Sequence, residues 1–209
     1  HGRGEALDYL LGERTHDFAE EAILEAASRL RDAKHPVVSI NGNVAALAPL
    51  ELCRLQEQYP RLVFEVNIFH YSPERANRIV EYLHEKGMRN VLESTQVNPV
   101  QLSGLDSARR HMHPEGLAKA DVVLVPLEDG DRCQALVDSG RQVIAIDLNP
   151  LSRTAQTAHV TIVDELTRAL PRLAFHLAEG TSSAKEYCQS DVLRRATLAL
   201  REGVKSEAD

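Results

Sequence analysis

Short apolar runs rich in β-branched residues alternate along this chain with longer segments whose apolar residues recur at helical spacing. The runs predict strands at Pro36–Ile40, Leu62–Ile68, Asn90–Leu92, Asp121–Pro126, Val143–Ile146 and His159–Val163. The longer segments predict helices at Ala6–Leu11, Asp17–Ala33, Val44–Tyr59, Pro73–Lys86, Cys133–Ser139 and Asp164–Ala178, and Glu186–Glu202 is predicted to be a final polar helix. Strands that alternate with amphipathic helices are typical of an α/β fold with a parallel sheet.

Residues at helix ends add local detail to this pattern. Asp17 is the expected N-cap of the second helix, with Glu20 three residues later in a capping-box arrangement. Ser72 is expected to cap the helix that follows it, and Gly87 to end that helix. Pro171 lies inside a helical segment and predicts a kink or a split.

Polar residues directly follow three of the predicted strands. They are Asn41-Gly42-Asn43, LEDGDR at 127–132 and DLNPLSRT at 147–154. Ligands of open α/β sheets bind outside the carboxyl ends of the strands, so the three clusters together favour a nucleotide or phosphate site. In the third cluster, Asp147 suits ribose hydroxyls and Arg153 suits a phosphate, while Asn149 and Thr154 add polar groups. Taken singly, each cluster is also typical of an ordinary turn.

Several polar positions leave two interpretations open. The carboxylates of Asp129 and Asp131 predict either Mg²⁺ ligands or an acidic turn that caps the next helix. Glu65 and Asn67 indicate either an edge strand with one solvated face or a place in a site. Segment 93–119 lacks clear periodicity, and we interpret this long loop insertion as a lid or substrate loop.

Composition and charge exclude several classes of protein. The chain has 209 residues, of which 43% are hydrophobic, so it is long enough to form a core and is not a disordered chain. A net charge of −7 and the absence of tryptophan argue against nucleic acid as a partner. The three cysteines are widely spaced, and no signal peptide or long apolar run is visible, so we expect a cytoplasmic protein without membrane association. Arg75 and Arg78 are interpreted as surface charges.

Four ordered blocks of the sequence resemble one enzyme family. They are HGRGEALDYLLGE, SINGNVAALAP, ADVVLVPLEDGDR and VIAIDLNPLSRTAQTAHVTIVDE, and the resemblance runs from His1 to about Leu173. The family is the archaeal 4-phosphopantoate–β-alanine ligases, also called phosphopantothenate synthetases. The resemblance implies a Rossmann-like fold, a homodimer, and condensation of 4-phosphopantoate with β-alanine to 4′-phosphopantothenate for coenzyme A synthesis, with ATP converted to AMP and diphosphate. It also implies residues upstream of His1, among them another arginine that contacts ATP.

The resemblance assigns ATP to residues from four places in the chain. These are Arg3, Asp147-Leu148-Asn149, Arg153-Thr154 and Glu165-Leu166. The position of Arg3 near the start of the chain favours a frayed terminus, but the resemblance assigns this residue to ATP instead. We expect Arg3 and Arg153 to neutralise phosphate oxygens during catalysis, and Mg²⁺ to bind at Asp129 or Asp131. Substrate contacts are expected from the remaining candidates, Asn41, Asn43, Asn67, Arg109 and Arg110.

We expect one domain over residues 1–180, with N-terminal helices, followed by a linker and helix over 181–209. Two other functions compete with the ligase. A nicotinamide-dependent oxidoreductase is disfavoured because the sequence lacks a G-x-G-x-x-G motif. A non-catalytic nucleotide sensor would bind ATP without releasing diphosphate.

Overall fold

The structure is a computed structural model that describes residues 2–69, 72–94, 97–104, 110–182 and 186–203, and for residues 2 and 3 the main chain only. Eight strands are present in this part of the chain: β1 (Pro36–Ile40), β2 (Val63–Val66), β3 (Val91–Glu93), β4 (Val100–Gln101), β5 (His111–Met112), β6 (Val122–Pro126), β7 (Gln142–Ile146) and β8 (Val160–Ile162). Six of them form one parallel sheet in the order β3-β2-β1-β6-β7-β8. The predicted Rossmann-like α/β fold is confirmed.

Helices cover both faces of this sheet. They are α1 (Gly2–Leu10), α2 (Asp17–Asp32), α3 (Gly42–Leu47), α4 (Pro49–Gln58), α5 (Pro73–Glu85), α6 (Gly130–Asp138), α7 (Arg153–Thr157), α8 (Leu166–Glu179) and α9 (Gln189–Gly203). One face, with Val38 and Ile40 of β1, packs against α2, α4, α5 and α8. The other face, with Val37 of β1, packs against α6 and against Leu102, Met112, Leu117 and Ala120. Among the described helices, none has the length and apolar character that a membrane span requires.

Three helix predictions were wrong in their details. Val44–Tyr59 is not one helix, because Pro49 lacks an amide hydrogen and starts a second helix, α4, after α3 has ended. The N-cap of α2 is His16, and the Asp17 carboxylate instead accepts a hydrogen bond from the amide of Phe18. Helix α8 continues through Pro171, so the predicted split does not occur, and the alternative of a kink stays a prediction. Ser72 caps α5 as predicted.

Segments Gly2–Leu10 and Gln189–Gly203 have more regular structure than their sequences indicate. The main chain is helical from Gly2 to Leu10, which contradicts the frayed terminus and starts the helix four residues before the predicted Ala6. The last helix is not polar throughout, since α9 buries Val192, Leu193 and Ala196 in the same core as α2.

The insertion after β3 is built into the fold. Its described residues include the antiparallel pair β4 and β5, and Leu102, Met112 and Leu117 lie in the second core. Strand β2, which faces this segment, lies between β1 and β3 and is not an edge strand. The interpretation of Glu65 as part of a solvated edge is therefore wrong, because the residue is fully buried inside the molecule.

Candidate functional site

The loop after β7 is organised by the carboxylate of Asp147. Its oxygens accept hydrogen bonds from the amide of Asn149 at 2.9 Å and from Oγ of Ser152 at 2.5 Å. Ser152 in turn caps α7 by accepting from the amide of Ala155 at 2.9 Å. Burial raises the pKa of Asp147, and the hydrogen bonds from Ser152 and Asn149 oppose that rise. Asp147 therefore holds the loop in shape and stays close to the surface at the carboxyl end of a central strand.

The loops after β6 and β7 meet at Gly130. A Cβ atom on Gly130 would lie 2.5 Å from Cβ of Arg153, so only glycine permits this close approach. Nη2 of Arg153 lies 2.8 Å from Oδ1 of Asp131, and both side chains are largely exposed. Thr154 is buried and donates from Oγ1 to the carbonyl of Glu128 at 2.8 Å. Two of the polar clusters predicted from sequence are thus one continuous surface.

Helix α1 lies against the same region. The Cβ position of Gly4 lies 3.7 Å from Cδ1 of Leu148, which places the main chain beside Arg3 next to the β7 loop. Asp8 anchors the helix by an ion pair with Arg168, which also donates to Asp164 at 2.8 Å. These contacts join the first block of the sequence to the loop that follows β8.

Glu165 and Leu166 begin α8. The Glu165 carboxylate caps the helix by accepting from the amide of Thr167 at 2.6 Å. The Leu166 side chain is buried in the core, so this residue can offer a ligand only its main chain. The side chain of Asn149, unlike that of Leu166, can donate hydrogen bonds to a ligand. Its Oδ1 accepts from the amide of Leu151 at 3.0 Å, and its Nδ2 has no acceptor among the described residues.

Asn41 and Asn43 occupy the point where the strand order reverses, between β1 and β6. Oδ1 of Asn41 accepts from the amides of Asn43 and Val44, and Nδ2 donates to the carbonyls of Pro126 and Leu127, both at 3.1 Å. All the hydrogen-bonding capacity of the amide is used, so Asn41 ties the β1 and β6 loops together and has none left for a substrate. Asn43 is exposed.

The remaining substrate candidates lie at the insertion. Asn67 is buried, donates to the carbonyl of His111 at 2.9 Å and accepts from Arg132. Glu65 accepts from the amides of His113 at 2.9 Å and Leu117 at 2.6 Å. Burial raises the pKa of Glu65 to about 7, although these two hydrogen bonds and Arg132 oppose the rise. Both residues hold the insertion against β2.

Arg110 lies in the insertion, where its carbonyl accepts from the amide of Leu102 at 2.7 Å. Arg109 is outside the described residues. The substrate contacts expected of these two arginines stay predictions.

The two acidic residues expected at Mg²⁺ have other partners in the fold. Asp129 caps α6 by accepting from the amide of Arg132 at 2.9 Å, as the alternative of an acidic turn predicted. Asp131 pairs with Arg153. The described residues include no group of three histidine, cysteine or acidic side chains that could hold a metal ion. The protein oxygens here fit Mg²⁺ only together with other ligands, such as the phosphates and waters that this ion prefers.

Comparison with known proteins decides the family. The model for phosphopantothenate/pantothenate synthetase matches residues 18–199. The chain belongs to this family. A relative from Methanospirillum hungatei is 52% identical over 214 residues, covering 100% of this chain and 86% of its own length. Relatives from Thermococcus kodakarensis and Methanosarcina mazei are 45% and 44% identical, covering 93% and 99% of this chain and 72% and 83% of their own lengths. All three are named 4-phosphopantoate–β-alanine ligase.

In this member of the synthetase family, sequence reasoning missed the residues that assemble the site. Ser152 precedes the Arg-Thr pair and could have been identified as the cap of a short helix. Gly130 looked like a turn glycine, and its need for close packing against Arg153 arises only from two loops that lie far apart in sequence. The ATP contacts implied by the resemblance stay predictions.

Proposed function

We propose that this chain is a 4-phosphopantoate–β-alanine ligase, which uses ATP and releases AMP and diphosphate. One structural observation supports the proposal in addition to family membership. The four places that the resemblance assigned to ATP converge at the carboxyl ends of β6, β7 and β8. Gly4 lies beside Leu148, Arg153 contacts Gly130 and Asp131, and the Asp8–Arg168–Asp164 cluster connects α1 to the start of α8.

The proposed reaction has two steps. In the first, a carboxylate oxygen of 4-phosphopantoate attacks the α-phosphorus of ATP, and diphosphate leaves as the acyl-adenylate forms. In the second, the amine of β-alanine attacks the activated carbonyl carbon, AMP leaves, and the nitrogen releases a proton. A free carboxylate is a poor electrophile, so adenylation makes the amide bond possible. The protein contributes orientation and charge stabilisation to both steps.

The proposed roles combine the resemblance with the positions of the described residues. Arg153 is exposed and cationic, so it can reach the phosphates and neutralise the charge that develops on them. Arg3 would act on the same phosphates from α1. The carboxylate of Asp147 and the unused amide hydrogens of Asn149 suit the hydroxyls and base of adenosine. Glu165 and Leu166 would add contacts from the start of α8.

Mg²⁺ is expected to arrive with the nucleotide, with Asp129 or Asp131 as its protein ligand. When bound, such an ion withdraws charge from the phosphate oxygens.

We also propose that the protein is a homodimer in the cytoplasm. Sedimentation equilibrium should then give twice the chain mass of 23.2 kDa.

Diphosphate release from ATP tests the proposed function, with 4-phosphopantoate and β-alanine each added or omitted. We expect release that requires 4-phosphopantoate, and AMP with 4′-phosphopantothenate once β-alanine is present. ATP binding by calorimetry without any diphosphate release would favour the nucleotide sensor instead and contradict the ligase.

A further inference from the structure

An open groove lies between α3 and α5, beside the carboxyl end of β1. Its volume is about 350 Å³. Its lining residues are Gly42, Ala45 and Ala46 on one side and Arg75, Arg78, Ile79 and Tyr82 on the other. The groove combines apolar walls with two guanidinium groups, and none of the described residues that line it is acidic. Such a site favours an anion attached to an apolar carbon skeleton.

The two arginines have positions that suit one shared anion. They lie three residues apart on α5 and therefore on the same face, where like charges repel each other unless an anion lies between them. The Cβ position of Gly42 lies 3.6 Å from Nη2 of Arg75, so this guanidinium reaches across to the loop after β1. Over the described ranges, neither guanidinium makes an ion pair or a hydrogen bond to a carboxylate.

The groove is close to the loops assigned to ATP. Gly42 begins α3 one residue after Asn41, and Asn41 hydrogen-bonds the β1 loop to the β6 loop. The β6 loop contacts Arg153 through Gly130. Adjacent strands are separated by about 4.8 Å, so one or two strand spacings separate the groove from the β6 and β7 loops. A short substrate can extend across the point where the strand order reverses.

We propose that this groove binds the phosphate of the phosphorylated acid substrate, with Arg75 and Arg78 donating hydrogen bonds to its oxygens. Ala46 and Ile79 contact the branched carbon skeleton, and the carboxylate points toward ATP. The proposal rests on the proposed ligase function and names the residues that distinguish 4-phosphopantoate from pantoate. Two guanidinium groups stabilise a phosphate dianion strongly and a neutral hydroxyl weakly.

Steady-state kinetics of Arg75→Gln, Arg78→Gln and the double variant test the assignment. We expect each single change to raise the KM for 4-phosphopantoate by about tenfold, because each removes a charge-assisted hydrogen bond, and the double change to raise it further. The KM values for ATP and β-alanine should not change. Arg54→Gln is the matched control, since Arg54 is an exposed arginine on α4 outside the groove, and its KM values should equal those of the wild type.

Two further measurements distinguish the effect of the groove's charge on substrate binding from the effect of its shape. Ala46→Leu narrows the groove without changing its charge and should also raise the KM for 4-phosphopantoate. Calorimetry should show that the wild type binds 4-phosphopantoate more tightly than pantoate, and that the double arginine variant loses this preference.

Several outcomes would overturn the assignment. An active wild type whose double variant keeps the same KM for 4-phosphopantoate would do so, as would a rise confined to the KM for ATP. A double variant that only dissociates a dimer would show that the groove contacts a second copy of the chain. A wild type that neither turns over nor binds 4-phosphopantoate would overturn the proposed function, and the groove assignment with it.

Discussion

Arg153 is the residue on which the proposed adenylation depends most. Its partner in the structure is Asp131, and the two side chains are 70% and 72% exposed. Exposed ion pairs contribute little to stability, because water and salt screen them. The pair therefore orients the guanidinium without burying it, and a nucleotide phosphate can take the place of the carboxylate.

Arg153→Ala should lower diphosphate release by about 100-fold and weaken ATP binding, because a cation that stabilises the phosphate charge is removed. The unfolding free energy should change by less than about 0.5 kcal/mol, since the side chain is exposed. Arg54→Ala is the control, because Arg54 is an exposed arginine on α4 outside the site and its loss should leave the ATP affinity unchanged. Unchanged turnover and unchanged ATP affinity in Arg153→Ala would eliminate its proposed role.

At the scale of elements, the insertion is held on the sheet by buried polar groups of β2. Glu65 accepts two main-chain amides from the insertion, and a Cβ on Gly116 would lie 2.2 Å from its Oε2. Only glycine at this position allows the insertion to approach so closely. Asn67 adds a hydrogen bond to His111. An irregular segment is thus fixed by specific contacts with one strand.

Glu65 makes the stability of this arrangement depend on pH. Its pKa is raised from 4.5 to about 7, so between these values the native state binds more protons than the unfolded state. The free energy of unfolding should therefore fall as the pH rises from 5 to 8. The expected contribution of Glu65 to this fall is about 3 kcal/mol.

Urea denaturation at pH 5, 6.5 and 8 measures this contribution as a difference between proteins. Glu65→Gln does not titrate, so its unfolding free energy should fall less than that of the wild type over this range. Glu115→Gln is the matched control, because Glu115 is an exposed residue of the same segment and should follow the wild-type profile. Parallel profiles for the wild type and Glu65→Gln would show that Glu65 does not titrate in this range.

At the scale of the whole molecule, α9 completes the sheet edge at β8. The side chain of Gln189 accepts from the amide of Thr161 at 2.9 Å and donates to the carbonyl of Ala155 at 2.9 Å. Edge strands leave such groups without partners unless another part of the chain covers them. Val192 and Leu193 extend the contact into the core beside α2. The last helix therefore belongs to the same packed structure as the sheet.

Leu193→Ala should lower the free energy of unfolding by about 2–4 kcal/mol, because it leaves a cavity in the core. Leu193 is 6% exposed, whereas Leu198 on the same helix is 39% exposed, so Leu198→Ala should cost less than about 1 kcal/mol. Urea denaturation should show one transition in both variants. An early separate transition that reports α9 alone would contradict its place in the common core.

The apolar pattern alone was enough to predict the six parallel strands and most of the helices that cover them. Buried strands and amphipathic helices have apolar patterns of different period, and these patterns are local. Local chemistry also predicted the caps at Ser72 and Asp129, each of which accepts from an amide three residues later. The polar loops after β1, β6 and β7 could be located in the same way, because the carboxyl ends of parallel strands lie at one edge of the sheet.

The contacts of each polar side chain, in contrast, form only when distant segments pack together. Asn41 and Glu65 lie among polar residues typical of a ligand site, yet their hydrogen bonds go to main-chain groups 48 to 86 residues away or within the adjacent loop. Arg75 and Arg78 are exposed, as predicted, but the wall that α3 provides opposite them is visible only when the chain is folded. Hydrophobic periodicity reports whether a residue faces the core, but hydrogen-bond and charge partners depend on contacts between distant segments. The fold could therefore be predicted from pattern, whereas the assembly of the site required three-dimensional packing.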